Sequence, residues 1–249
     1  RRDRCYGCGR CLPVCPWGLI AAHSYPTPID AVAQQVLSQV DALEIHTHVG
    51  EHAAFKDLWQ TLQPWIGNLQ IISISCPDGD GLINYLKDLQ QIMKAPESSL
   101  GEDLRDSAIA LKIALKTKPH NAIWQNVIWQ TDGRPMSGDI GKGTTHAAIR
   151  LAEKVLQSDL LGYVQLAGGT NQYTVPKLYE LGLLAHAKSL NGSMNGATRL
   201  VSGVAYGSFA RRLLVSFTDQ TLYLEETPAL LWKAVAIAES LIAPLKRPI

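Results

Sequence analysis

With 249 residues, 23 Lys and Arg against 22 Asp and Glu, and a formal net charge of +1, the chain carries no electrostatic field that would favour nucleic acid or an anionic membrane surface. Its 46% hydrophobic and 18% charged composition is that of an ordinary soluble chain, with material for one large core or two small ones. No apolar run approaches the roughly 20 residues that span a bilayer, so we expect no membrane span. Four of the five cysteines stand in one motif, which suits a reducing, cytoplasmic setting.

That motif opens the chain. Cys5-Tyr-Gly-Cys8-Gly-Arg-Cys11-Leu-Pro-Val-Cys15-Pro16 has the spacing by which bacterial ferredoxins wrap a [4Fe–4S] cluster. The two-residue gaps let Cys5, Cys8 and Cys11 turn three sulfurs onto one cube, and Gly7 and Gly9 supply the backbone freedom of a tight loop. In two-cluster ferredoxins the fourth cysteine ligates the other cluster, so Cys15 calls for a second cysteine run, which this sequence does not contain. A structural zinc knuckle and a disulfide pair are the competing readings of four thiols, although no spacing here resembles a secreted framework. Arg1, Arg2, Arg4 and Arg10 crowd the loop, either to steer an acidic electron-transfer partner or to offset the cluster's negative charge. The start at Arg1-Arg2-Asp3, with neither methionine nor signal peptide ahead of the cysteines, leads us to expect an upstream part carrying the other ligands of a second cluster.

In chain order, Trp17 to Ile20 continues the ferredoxin-like loop and Tyr25-Pro-Thr-Pro28 reads as a linker. The expected domains are therefore a ferredoxin-like 4Fe–4S segment over 1–28 and an α/β domain over 29–249. From Ile29 to Val40 the residues Val32, Ala33, Val36, Leu37 and Val40 repeat at helical spacing, and Ala42 to Thr47 follows as a strand. Phe55, Leu58, Trp59, Leu62, Trp65 and Ile66 make one apolar helical stripe with Gly67 as its stop. Leu69 to Cys76 is a near-continuous apolar strand of the kind buried on both faces of a parallel sheet, and Leu82, Leu86, Leu89 and Met93 line the next helix. Pro96 to Gly101 looks like a loop and Ser107 to Lys116 like a further helix. Ile123 to Thr131 returns to strand, Thr145 to Leu156 to helix, Gly162 to Ala167 to strand, and Thr174 to Leu181 to a short helix. Val201 to Tyr206 makes one more strand, and Ser208 to Leu214 starts a helix after Gly207. Thr227 caps the last helix, Pro228 takes its first position, and Leu231, Val235, Ala238 and Ile242 face inward.

Strands alternating with helices in this way predict βα units and a parallel sheet, as a barrel or as a doubly wound fold. The strand-end turns favour an incomplete TIM-type (β/α) barrel, because barrels gather their sites at the C-terminal ends of their strands. Cys76-Pro-Asp-Gly-Asp80, Asp132-Gly-Arg-Pro135, Gly168-Gly169-Thr170 and Gly207-Ser208 all fall at such ends. The last two resemble a phosphate grip, in which glycines let backbone N–H groups and a helix start approach an anion, with Arg211 one turn further on. Such a grip would seat flavin mononucleotide; a tight connection would use the same glycines for steric reasons alone.

The long loop from Trp129 to Thr145 is dense in glycine and carries Asp132, Arg134, Asp139 and Lys142, which could hold an anion or a flavin edge, or brace the loop as an Arg134–Asp139 pair. Cys76 ends an apolar strand and reads as a small buried hydrophobe. His46 and His48 share a strand face, as a ligand pair or as polar residues of a barrel mouth, and nothing in the sequence completes a nucleophile and base.

Three stretches together carry a family likeness. Arg4-Cys-Tyr-Gly-Cys-Gly-Arg-Cys-Leu-Pro-Val-Cys-Pro16, Trp129 to Gly141 and Val164-Gln-Leu-Ala-Gly-Gly-Thr-Asn-Gln172 resemble the cyanobacterial light-dependent period family, LdpA. The resemblance implies an iron–sulfur protein that adjusts circadian period to light by sensing cellular redox state, with clock-input proteins as partners. It also implies an earlier cysteine run and earlier βα units ahead of this chain. Carried over residue by residue, the cluster ligands are Cys5, Cys8, Cys11 and Cys15, and no catalytic residue is carried over. Three functions compete: a redox-sensing regulator whose surface a partner reads, a flavin-dependent barrel oxidoreductase with a ferredoxin-like insertion, similar in outline to dihydroorotate and dihydropyrimidine dehydrogenases, and a degenerate barrel kept for binding alone.

Overall fold

The computed structural model describes residues 11–23, 27–67, 69–94, 127–133, 144–184 and 199–246. Cys5 and Cys8, the helix expected over Ser107–Lys116 and the loop residues Arg134, Asp139 and Lys142 lie outside the described residues. The elements in order are α1 (Cys11–Val14), α2 (Ile29–Val36), β1 (Ala42–His46), α3 (His52–Ile66), β2 (Ile71–Pro77), α4 (Leu82–Lys94) and β3 (Val127–Asp132). They continue with α5 (Thr144–Leu156), β4 (Tyr163–Ala167), α6 (Thr174–Glu180), β5 (Gly203–Val204), α7 (Ser208–Thr218), a 3-10 turn (Leu224–Glu226) and α8 (Pro228–Lys246).

The strands form a five-stranded sheet in the order β1-β2-β3-β4-β5, with β1 parallel to β2 and β4 parallel to β5. Contacts divide the chain into two compact units, Arg1–Ser75 with Gly79–Ile128, and Cys76–Asp78 with Trp129–Ile249.

In the first unit the apolar side chains alternate along the strands, as the period of two requires. Ile45 of β1 and Ile72 and Ile74 of β2 are buried, as are Phe55, Trp59, Leu62 and Ile66 of α3 and Leu82, Tyr85, Leu86, Leu89 and Met93 of α4. Each such side chain stabilises the fold by about 1.5–3 kcal/mol. Phe55 and Trp59, one turn apart, stack at 6.1 Å between ring centroids. The sequence pattern predicts a β2 buried on both faces, and Ile72 and Ile74 on one side and Ser75 on the other are buried. Ser73 and Ser75 turn to the side opposite Ile72 and Ile74, so β2 has one aliphatic face and one hydroxyl face. Gly67 ends α3 with φ −59° rather than in the left-handed conformation of a glycine stop.

Val127 of β3 is buried at the end of the first unit; in the second unit Trp129 of β3, Val164 and Leu166 of β4, and Ala148, Leu151, Ala152 and Val155 of α5 are buried. The Trp129 indole N–H donates to Leu161 O at 2.7 Å, so this large side chain enters the core without an orphaned donor. Directly after β3, Gly133 N–H donates to Ala167 O at 3.1 Å. A Cβ at Gly133 would collide with the backbone of Ala148 and lie 2.8 Å from its Cβ. Glycine is what lets α5 press this closely on the strand end. The expected strand over Val201–Tyr206 contracts to Gly203–Val204, although Ser202 and Ala205 N–H still donate to Val164 O and Leu166 O at 2.8 and 2.7 Å.

Two expectations about the last helix are corrected. Ala234 is its buried residue, whereas Ile242 is 40% exposed, so the inward face is rotated from the one the spacing predicted. The stretch Pro228–Leu245 is also long and apolar enough, by length and composition, to cross a membrane, contrary to the expectation that no run approaches that size. The same test is passed by packed helices of soluble proteins.

Gly133→Ala is expected to destabilise the protein by about 1–3 kcal/mol through overpacking, lowering the thermal midpoint by roughly 2–4 °C per kcal/mol for a chain of this size. Trp129→Phe is expected to cost about 1–3 kcal/mol by leaving Leu161 O unpaired. Circular dichroism melts check both, and unchanged midpoints would refute the packing described.

Candidate functional site

Cys11 opens the single turn of α1 and is exposed, and Cys15 follows that turn partly exposed. Gly18, at φ +60°, reverses the chain so that its N–H donates to Cys15 O at 3.2 Å. The reversal folds residues 17–20 back beside Cys15. Its thiol is held below the usual cysteine range, first by the Leu19 N–H and, against the opposing effect of burial, by those of Trp17, Ile20 and Gly18. Donors converging on one sulfur stabilise a thiolate, which is the form that ligates metal. The residues present therefore fit a metal-bound thiolate at Cys15. The surroundings are apolar and open: Val14, Trp17 and Leu19 are 74%, 81% and 83% exposed.

Cys76 stands apart from this group. It is buried at the end of β2, and its thiol donates to Pro77 O at 3.5 Å, as a core thiol does. Among the described residues no group of three His, Cys, Asp or Glu side chains could hold a metal ion. His46 pairs with Glu44 at 2.9 Å and His48 with Glu51 at 3.5 Å, so the two imidazoles that share a strand direction have separate carboxylate partners.

The turns after β4 and β5 are brought together by the pairing Gln165↔Gly203 and Leu166↔Val204. Gly168 and Gly169 both take positive φ, 62° and 81°, a conformation that makes glycine the fitting residue at each. Thr170 is buried and its hydroxyl donates to Ala205 O, which ties the first turn to the chain beyond β5. Thr145 Oγ1 and Asn171 Nδ2 donate to Gly169 O at 3.4 and 3.5 Å, and Thr174 Oγ1 accepts from Asn171 N–H at 2.9 Å. Here the side-chain hydroxyls are engaged within the fold. The second turn is open: a Cβ on Gly207 would meet nothing within 4 Å. Ser208 starts α7, and the Arg211 guanidinium donates to Ser208 Oγ at 3.1 Å. Burial among apolar groups raises the neighbouring Tyr206 hydroxyl above the usual tyrosine range.

The pattern reading missed the polar stripe of β1 and β2. Register places Glu44 beside Ser73 and His46 beside Ser75 on one face, and both serine hydroxyls are buried without a hydrogen-bond partner. The signal was present as serine at alternate positions of Ile71-Ile-Ser-Ile-Ser75.

Comparison with known proteins decides the family. The Light dependent period A C-terminal domain matches residues 35–244. The chain belongs to the Light dependent period A family. The LdpA Fe-S cluster-binding domain matches residues 1–26, the segment that holds Cys5, Cys8, Cys11 and Cys15. A curated relative, "Light dependent period A" of Synechococcus elongatus, is 44% identical over 254 residues, covering 100% of this chain. The chain spans 62% of that relative's length. No solved structure matches the chain.

The converging N–H groups give a direct expectation for this LdpA-family chain. In protein stripped of metal by a chelator, Cys15 alkylation is expected to reach half its maximal rate at a pH below that of a free cysteine, about 8.5. Iodoacetamide labelling across pH with peptide mass mapping measures it. A midpoint at or above the free-cysteine value would contradict the arrangement around Cys15.

Proposed function

We propose that this chain is the iron–sulfur-binding part of a regulator that adjusts circadian period to light, with cellular redox state read at a [4Fe–4S] cluster held by Cys5, Cys8 and Cys11. Cys15 serves a second cluster whose remaining ligands lie upstream. Four cysteines at ferredoxin spacing, in the segment that the LdpA Fe-S cluster-binding domain matches, carry the reading, and membership of the family and the lowered Cys15 thiol support it. An iron–sulfur cluster, when bound, supplies one-electron redox chemistry. The chain's own residues hold the thiolate by backbone N–H groups and leave Val14, Trp17 and Leu19 exposed beside it, a surface that a redox partner or a clock-input protein would cover. We place the protein in the cytoplasm. We read the sheet as a sector of a (β/α) barrel behind a ferredoxin-like segment, since strands in sequence order lack the reversal that marks a doubly wound sheet.

The test is iron and acid-labile sulfide analysis of the intact protein, purified without oxygen, beside its Cys15→Ala variant. Iron and sulfide are expected to fall together in the variant, by about half or more. Bound zinc in the parent, or full iron and sulfide in the variant, would overturn the reading.

A second reading is favoured by the open Gly207 turn beside Ser208 and Arg211. There the N–H groups at the start of α7 would take the phosphate of flavin mononucleotide, and the chain would serve a flavin-dependent oxidoreductase. Flavin fluorescence quenching on the intact protein measures it. Binding in the parent is expected to weaken at least tenfold, about 1.4 kcal/mol, in Gly207→Val and Arg211→Ala. No binding in the parent, or equal binding in all three, removes this reading and leaves the regulator untouched.

A further inference from the structure

The outward face of α8 repeats alanine at seven-residue spacing, at Ala229, Ala236 and Ala243, all exposed. The helix packs on α7 and on the 3-10 turn, and Pro244 O accepts from the Tyr179 hydroxyl at 2.7 Å. That packing uses the side centred on buried Ala234, and Ala236, about 200° further round, centres the opposite side. A heptad repeat of the smallest side chain on one helix face lets a second helix approach with backbones close together.

The other outward residues decide which helix that is. Trp232 and Ser240 lie equally far on either side of Ala236, as do Lys233 and Glu239, and all four are exposed. The face is therefore complementary to itself when turned end for end about Ala236. Two copies of α8 laid antiparallel bring each Lys233 opposite the other copy's Glu239, each Trp232 onto the other's Ser240, and Ala229 against Ala243. Ser240 suits that position, because its hydroxyl bonds to Ile237 O at 2.6 Å within its own helix and leaves a small surface for the indole. Among the described residues neither Lys233 nor Glu239 forms an ion pair within the chain. Six residues apart, they cannot reach each other along one helix.

We propose that α8 is an isologous dimer interface, in which two copies of this chain pair antiparallel about a two-fold axis through Ala236, with reciprocal Lys233–Glu239 ion pairs. The contact occurs twice in each dimer, as two-fold symmetry requires. This orientation excludes the parallel pairing, which would set Lys233 against Lys233 and Glu239 against Glu239.

Sedimentation equilibrium of the intact protein tests it. The parent is expected to be a dimer. Lys233→Glu and Glu239→Lys, each converting two attractive pairs into two repulsive ones, are expected to weaken dimerisation about tenfold or more. The double variant Lys233→Glu/Glu239→Lys restores both pairs in reversed sense and is expected to return to parental affinity. Ala236→Trp, at an exposed position that folding does not constrain, is expected to give a monomer. A monomeric parent would overturn the proposal and leave α8 to another part of its own polypeptide or, if the parent sediments with phospholipid vesicles, to a lipid surface. A parental dimer whose affinity survives the single reversals, or that the double reversal fails to restore, would overturn it equally.

Discussion

Parallel strands that follow one another in sequence, β1 with β2 and β4 with β5, impose one demand on the chain between them: it must cross over the sheet to start the next strand in the same direction. One face of each strand is then committed to helices and must be apolar, while the other is released from that duty. The side chains obey this division. In the first unit Ile72 and Ile74 are buried on one face of β2 while Ser73 and Ser75 occupy the other beside Glu44 and His46. In the second unit Trp129 and Thr131 are buried on β3 while Gln130 and Asp132 alternate with them, and Gln165 of β4 donates to Gln130 Oε1 at 3.3 Å. The close approach of α5 to the end of β3 is why a single glycine, Gly133 against Ala148, has such leverage on packing.

The same division explains why the two glycine turns behave differently although their sequences look alike. The turn after β4 is enclosed, so its buried polar groups need partners within the fold. Thr170, Asn171 and Thr174 supply them, in bonds to Ala205 O, Gly169 O and one another. The turn after β5 is exposed and free of that requirement, and Gly207 has open space around it. Glycine content marks where a backbone bends. Whether the bend is a latch or an opening is settled by what surrounds it, and no local pattern carries that information.

Much of the fold could nevertheless be read from spacing. The stripe Phe55, Trp59, Leu62, Ile66 and the stripe Leu82, Leu86, Leu89, Met93 appear as the buried faces of α3 and α4, because an amphipathic period of 3.6 survives any tertiary context that gives the helix one neighbour. Tyr85 escaped that reading. Its ring is buried with the leucines while its hydroxyl meets Thr47 Oγ1 across the fold, a partnership between residues distant in sequence. The face of α8 was misplaced for a related reason: a helix apolar nearly all round has no strong polar side to fix its phase, so contact with α7 decides which residue is inward. At the cysteine motif the spacing marks a candidate ligand set, whereas the N–H groups that act on Cys15 come from residues 17–20, whose turn depends on the positive φ of Gly18.

Two exposed apolar surfaces remain, and charge distinguishes them. Around Cys15 the exposed Val14, Trp17 and Leu19 are apolar and the charges nearest in sequence, Arg4 and Arg10, are of one sign, which suits a partner of different surface or another part of the same polypeptide. On α8 the exposed alanines and Trp232 are flanked by Lys233 on one side and Glu239 on the other, at equal distance from Ala236. Buried apolar area supplies most of the driving force in either case and says little about what is bound. Opposite charges placed symmetrically about a central small residue do carry that information, since they match only when the same face meets itself reversed. Selection for an unlike partner imposes no such relation between positions 233 and 239.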